Sequence, residues 1–511
     1  MTAGTSNADN RAVFRNAIAQ YGSVVVNIGL GLLLTPALLR GLGEQRFGYY
    51  TVVLALIGYV GLGELGLGTA TVRRIAAEFA QGNEAAVSRV ASTARAIYLG
   101  TATTCAVLVL VATLVLGSIV NASPEVLAQA QLALVVLGVA ASVNFVFTIF
   151  PAILIGAGRS DLLVLSGSAV STLGSVAQII TVTVSDDLRN LAIVSAASTV
   201  LGSLVSRYVA VRRYPTLRVR VRDARWSVAR ELLGSGWRNA VITIGTLAAY
   251  NADVLIVGAF LSVSAVTAYG VATRAAGLMS TVTFRVSDVL VPTYAHHDST
   301  GDHGKLYDIY LETTLASMAI ALPVSAVFVA FGDPILAAWL GHTPPSAPAV
   351  LAVLSLALVV AVPGGTAFFL LSGINRLGFA VKMSILTGLA NAALGIALTP
   401  MIGLTGPALA TLVMRGIFDL FVLPVHVCHL LDQPVAGWWR AFLRVVTPSI
   451  AVTGALAAAL HFVVGSGPRW EVALSCGAIA LAHVMVFGAA AGSERRQRYT
   501  DLLRSRSRPA A

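Results

Sequence analysis

From residue 17 to residue 491 the chain repeats one pattern: about twenty predominantly apolar residues, then a short polar break. A helix needs about 20 such residues to cross the hydrocarbon of a bilayer. Lipid offers no partner to backbone amides, so a run of this kind satisfies them internally, as a helix. That window gives fourteen expected spans, at 17–39, 48–70, 94–118, 131–155, 161–183, 190–211, 237–261, 265–292, 308–331, 347–371, 377–399, 404–427, 442–464 and 470–491. The windows at 131–155 and 265–292 are the most interrupted by polar residues. Composition agrees: of 511 residues, 57% are hydrophobic and 11% charged. Soluble domains carry about 25% charged residues, so this chain could not cover a water-facing surface. The fold class read from this pattern is an all-α integral membrane protein.

Loop charge sets orientation, because Lys and Arg are retained on the cytoplasmic side. With the N-terminus inside, the inner segments hold 27 of the 34 basic residues. Outer loops hold Arg40, Arg46, Arg189 and Arg469, and three arginines lie within spans. One missed helix would scramble that bias, so the expected topology has both termini cytoplasmic. The N-terminal stretch, polar then basic with no small-residue cleavage site, reads as the lead into a first span. Net charge is +11, but its placement speaks for membrane topology and not for nucleic acid. Cys105, Cys428 and Cys476 show neither metal spacing nor a disulfide framework.

Two features recur. Phe47-Gly48-Tyr49-Tyr50 opens the second span and Ala268-Tyr269-Gly270-Val271 the eighth, while Gly156-Ala157-Gly158-Arg159 ends the fourth and Ser372-Gly373-Ile374-Asn375-Arg376 the tenth. Their offsets are 220 and 217 residues. Six spans separate the copies, which predicts two like-oriented lobes about a pseudo-two-fold along the membrane normal. The expected organisation is a six-helix lobe at 1–211, a basic linker at 212–236, a second six-helix lobe at 237–430, an appended helix pair at 431–492 and a basic tail at 493–511.

Charge inside a span is costly and belongs on a bundle interior or a wet cavity. On the eighth span Gly270, Arg274, Gly277, Thr281, Arg285 and Asp288 fall within an arc of roughly 80° at helical spacing. On the seventh, Asn239, Thr243, Thr246, Tyr250 and Asp253 share a face, with Arg238 at the inner mouth. The first span carries Asn16, Gln20, Ser23, Asn27 and Gly31 on one side; Glu64, Asn144 and Gln178 add polar groups to the second, fourth and fifth. Two readings stand together. Asp253–Arg274, Arg285–Asp288 and Arg415–Asp419 could be pairs that hold helices in register. Alternatively Arg274, Arg285 and Arg238 form a ladder of cations for an oxyanion, since guanidinium presents a fixed fork of donors. Glu64 and Asp253 would then suit ion or proton coupling.

Neither a phosphate-binding GxxxxGK[ST] loop nor a His/Glu metal constellation occurs in the sequence. Outer connections are short and carry no Ser/His/Asp pattern.

LLTPALLRGLGEQRFGYYTVVLALIGYVGLGELGLGTATVRRIAAE resembles the opening of bacterial polysaccharide flippases of the Wzx type, in the multidrug/oligosaccharidyl-lipid/polysaccharide exporter superfamily. The matching elements are Phe47-Gly48-Tyr49, Glu64-Leu65-Gly66-Leu67-Gly68 and Arg73-Arg74. NADVLIVGAFLSVSAVTAYGVATR is similar to the family's Asp-containing seventh helix, and WLG (339–341) and SGINR (372–376) also fit. The resemblance covers about 15–430, and the two extra helices resemble the fourteen-helix lipid II flippase branch. It implies a non-enzymatic transporter of the bacterial inner membrane that moves an undecaprenyl-diphosphate-linked oligosaccharide outward by alternating access. The cavity residues would be Arg274, Arg285, Asp288, Asp253, Arg238, Asn27, Gln20, Asn144 and Glu64. No cofactor is implied beyond a coupling Na+ or H+ gradient; the partners are the lipid-linked glycan, the bilayer, a polysaccharide polymerase and glycosyltransferases. The alternatives are a cation-coupled multidrug exporter of the same superfamily, disfavoured by Asn27 where the first helix would offer an acid, and a membrane polymerase or ligase.

Overall fold

The computed structural model describes residues 4–60, 67–119, 123–465 and 467–506, with side chains described except at 4–19, 21, 60, 118–119, 235–251 and 494–506. Its helices are α1 (Gly4–Val60), α2 (Leu67–Ala80), α3 (Glu84–Ile119), α4 (Pro124–Phe147), α5 (Ile149–Gly156), α6 (Ser160–Val184) and α7 (Leu188–Arg213), then an extended strap with a 3-10 turn at Val221–Asp223. There follow α8 (Trp226–Phe260), α9 (Val263–Val289), α10 (Val291–Ser299), α11 (His303–Leu340), α12 (Ala347–Gly373), α13 (Gly378–Ile402) and α14 (Thr405–Arg415). A π-helical segment, Gly416–Val422, joins α14 to α15 (Leu423–Leu430), and α16 (Val435–Val464) and α17 (Arg469–Arg506) complete the chain.

Among the described residues, eleven helices are long and apolar enough to cross a membrane. The protein is a multi-pass, all-α membrane protein. Sequence window 17–39 and the part of window 48–70 up to Val60 run together in α1, which bends at Gly43 (φ 74); a left-handed φ is open to glycine at little cost. The window at 265–292 falls largely on α9, which is not among the eleven. Its arginines and hydroxyls lower its hydropathy, as expected of a helix with one polar face.

The chain divides into two compact units, Met1–Thr267 and Ala268–Ala511. In the first, Tyr98, Ile149, Phe150, Ile153 and Leu232 form a buried core. Small residues let its helices approach closely: a Cβ on Gly174 of α6 would come 2.7 Å from Ser198 Oγ on α7. In the second, Trp438 of α16 stacks on Tyr310 of α11 (5.8 Å between rings) and on Phe442 (4.9 Å). Tyr310 Oη donates to the Pro363 carbonyl across to α12 (3.0 Å), and Thr314 and Thr366 share a hydrogen bond of 2.8 Å. The helix pair α16 and α17 packs on α11.

The turns repeat bond for bond. Gly82 (φ 68) precedes α3, with Gly82 N donating to Phe79 O, Asn83 N to Glu78 O and Glu84 N to Gly82 O. Gly301 (φ 70) precedes α11, with Gly301 N donating to Asp298 O, Asp302 N to His297 O and His303 N to Gly301 O. Every partner is displaced by 219 residues. The helix caps repeat as well: Ala86 N donates to Asn83 Oδ1 (3.0 Å) and Lys305 N to Asp302 Oδ1 (2.9 Å).

At the other turn Arg159 N donates to Leu154 O and Gly158 N to Ile155 O; the copies, at an offset of 217, are Arg376 N to Leu371 O and Asn375 N to Ser372 O. Gly158 (φ 71) and Asn375 (φ 55) take the left-handed position. Gly156 packs on Ile75 and Ala76 of α2, and Gly373 on Tyr294 and Ala295 of α10. Tyr294 donates to Thr313 (3.2 Å), and burial pushes its phenol up to about 12, so it remains a neutral donor. The expected pair Tyr49 and Tyr269 is buried in both copies.

Candidate functional site: a hydroxyl-lined cavity and a charged helix face

Within the first unit a cavity of 530 Å³ opens between the second stretch of α1 and helices α4, α5, α6 and α7. The sequence places its polar lining in two ladders of helical spacing: Gly167, Ser171, Ser175 and Gln178 on α6, and Ser195, Thr199, Ser203 and Ser206 on α7. Both fall on single helix faces because steps of three and four return to one side. None of the lining residues is charged.

The donors are largely committed inward. Ser195 donates to Leu191 O (2.8 Å), Thr199 to Ser195 O (3.0 Å) and Ser206 to Gly202 O (2.9 Å), each to its own helix. Ser203 donates to Asn144 Oδ1 on α4 (2.8 Å), and Tyr50 lies 3.4 Å from Ser195 Oγ. A hydroxyl has two acceptor lone pairs and an Asn or Gln amide two donors. Serine and threonine oxygens therefore present acceptors, while the amides of Asn144 and Gln178 present donors. Such a surface matches an uncharged, hydroxyl-bearing ligand and offers no counter-ion to an ionised one.

In the second unit α9 carries the polar face expected from its spacing. Arg274 is half-buried, and Thr281 donates to Gly277 O (2.9 Å). Arg285 bonds Asp288 at 2.8 Å, an i,i+3 pair with both side chains partly exposed. The buried Arg285 Nε has no hydrogen-bond partner among the described residues. The side chain of Arg415 acts electrostatically on Asp419, which stands within the π segment. A Cβ on Gly364 of α12 would overlap the Asp419 backbone.

The other expected site residues are dispersed. Asp253 is buried on α8, within electrostatic range of Tyr59. It belongs to the first unit and Arg274 to the second. Asn27 is exposed and donates to Ser23 one turn back (3.2 Å), and Gln20 is exposed on the same helix. Glu64 and the side chain of Arg238 lie outside the described residues. Of the expected set, the cavity takes up Asn144. Its serines and threonines were not singled out in the sequence, although their three-and-four spacing was there to be read.

The model of a family described as polysaccharide biosynthesis protein matches residues 37–343. The uncharacterized membrane protein EpsK of Bacillus subtilis (strain 168) is 21% identical over 427 residues, 81% of this chain and 83% of EpsK. Among solved structures, an inward-facing MATE-family multidrug resistance transporter of the MOP superfamily superposes with a TM-score of 0.66 at 17% identity, covering 82% of this chain and 99% of that one. The lipid II flippase MurJ, in an inward closed conformation, gives a TM-score of 0.62 at 15% identity over 96% of this chain and 99% of its own. The fold is thus the one these transporters share, and the family match spans more than half of the chain: the protein belongs to the polysaccharide biosynthesis protein family.

Proposed function

We propose that this protein moves an undecaprenyl-diphosphate-linked oligosaccharide from the cytoplasmic to the outer leaflet of the bacterial inner membrane by alternating access, with both of its termini in the cytoplasm. The observation that carries the reading is the face of α9. Two arginines share it, and the partly exposed Arg285 guanidinium bonds Asp288 through one terminal nitrogen. Guanidinium forks bind phosphate oxygens in charge-assisted, often bidentate pairs. A diphosphate is a stronger claimant for such groups than a single carboxylate. The membership in a polysaccharide biosynthesis family supports a glycan as cargo. Glycosyltransferases would then supply the substrate and a polymerase would consume it. Asp253, buried on α8, is the group we assign to coupling with an Na+ or H+ gradient. Export by a D253N variant that still collapses with the gradient would place coupling elsewhere.

The test is surface glycan in cells carrying Arg274→Ala or Arg285→Ala, with membrane protein levels measured in parallel. Loss of more than about tenfold is expected, since one lost charged hydrogen bond is worth roughly 1.5–3 kcal/mol. Wild-type export in both variants would overturn the proposal.

A second reading, a small-molecule exporter, draws on the first-unit cavity. Its 530 Å³ falls within the range of drug-sized sites, roughly 300–1,000 Å³. Deleting the protein would then raise sensitivity to uncharged toxic compounds and leave surface glycan intact.

A further inference from the structure

The segment between α7 and α8 is not a loose linker. It lies along α3, held by three hydroxyls of that helix. Arg218 N donates to Ser88 Oγ (3.2 Å), Arg220 N to Ser92 Oγ (3.0 Å) and Arg225 N to Thr93 Oγ1 (3.0 Å). Ser92 Oγ returns a bond to Arg218 O (3.4 Å), and Arg95 donates to Val219 O (3.2 Å). Leu217 and Val219 pack against the first-unit core.

In an extended segment successive side chains point to opposite sides. With Leu217 and Val219 turned inward, Arg218 and Arg220 face outward, about 7 Å apart along the strap. Both are exposed, as are Arg222 and Arg225. Between 212 and 230 the chain has seven arginines and one acidic residue, Asp223, which stands 3.9 Å from Arg222. Beside them Trp226 is 77% exposed and Val221 43%. Arginines with an exposed indole are the composition of a membrane–water boundary, where the ring sits at headgroup level and the cations meet phosphates. The strap directly follows α7, which is long and apolar enough to cross a membrane, so it begins near that boundary.

We propose that this strap is a pre-organised docking site for the phosphate headgroups of anionic bilayer lipids. Arg218, Arg220 and Arg222 supply the charge and Trp226 the interfacial anchor. The hydroxyls of α3 matter because they fix the backbone that presents the arginines, so little ordering is left to be done when lipid binds.

The experiment uses purified full-length protein in neutral detergent, titrated with phosphatidylglycerol, phosphatidylcholine or inorganic phosphate and read as lipid affinity by native mass spectrometry. Wild type is expected to prefer phosphatidylglycerol at least about tenfold, and R218Q/R220Q/R222Q to lose that preference. S88A/S92A/T93A keeps every charge and suits a helix, since alanine has the highest helix propensity. It is expected to bind phosphatidylglycerol several-fold more weakly. R495Q/R496Q/R498Q, in the basic tail, is expected to behave as wild type. Four results would each overturn the proposal: undiminished preference in the strap triple, wild-type affinity in the hydroxyl triple, equal loss in the tail triple, or equal occupancy by inorganic phosphate.

Discussion

Asn83 before α3 and Asp302 before α11 cap their helices through the same atoms, and Gly82 and Gly301 turn the chain at φ 68 and φ 70. The interiors behind those matching turns differ. In the first unit Asn144 of α4 meets Ser203 of α7 beside an open, hydroxyl-lined cavity. Three residues on, Phe147 lines the same cavity. At the corresponding offset of 217, α12 has Ala361 and Gly364. Without a side chain, Gly364 admits the backbone of Asp419, and its neighbour Gly365 admits the ring of Phe284. Turn geometry therefore sets a common frame, and at this position the copies differ: Phe147 borders the cavity, whereas Gly364 takes a close main-chain contact.

The largest test of that contrast is Gly364→Ala. The new Cβ would overlap main-chain atoms of the π segment, so no rotamer change relieves it and α12 must shift. Overpacking of this kind costs about 1–3 kcal/mol, read as a thermal midpoint lowered by several degrees and reduced membrane protein. Gly167→Ala on the cavity wall is the control, because nothing lies within 4 Å of its Cβ. Its stability should equal wild type or rise slightly, as alanine favours a helix over glycine. Equal losses in the two variants would mean that the interiors do not differ in the way described.

A smaller effect is expected where the copies differ by one residue at a turn. Gly158 and Asn375 hold the left-handed position (φ 71 and φ 55). Gly158→Ala should cost about 1–2 kcal/mol, the penalty of that region for a residue with a Cβ. Asn375→Gly should be near neutral, because asparagine already tolerates the conformation. Thermal unfolding of the two variants checks both; a stable Gly158→Ala would show that the turn can relax.

Much of this was legible before any coordinates. Hydropathy showed the membrane helices, and the i,i+3 spacing of Arg285 and Asp288 anticipated their ion pair. Ser372-Gly373-Ile374-Asn375-Arg376 announced a repeated turn because a glycine-bearing turn keeps its spelling. Asn83 and Asp302 announced nothing, since two different residues reach the same cap with the same oxygen. The cavity was missed for a related reason: serine and threonine are ordinary in membrane helices, and their ladder matters only once α6 and α7 face each other. Nor does sequence spacing foretell the π segment at Gly416–Val422. There the helix widens beside α12, where Gly364 lets the main chain of Asp419 come close.

The caps give the smallest and most direct probe of the shared frame. If Asn83 and Asp302 do the same work, exchanging them should hardly matter. Removing either oxygen should matter, because Lys305 N then loses the Asp302 carboxylate and Ala86 N keeps only the Asn83 main-chain carbonyl at 3.0 Å. Asn83→Ala and Asp302→Ala are each expected to cost about 1 kcal/mol. Asn83→Asp keeps the acceptor and adds a charge favoured at a helix N-terminus, for a gain of about 0.3–1 kcal/mol. Asp302→Asn should lose a similar amount. Opposite shifts of like size, measured by chemical denaturation in the same detergent, would support one cap used twice. A cost near 1 kcal/mol in Asn83→Asp, comparable to that of removing a cap, would instead mean that nearby groups make a charge unwelcome in the first copy, so that the frame is common in geometry and not in electrostatics.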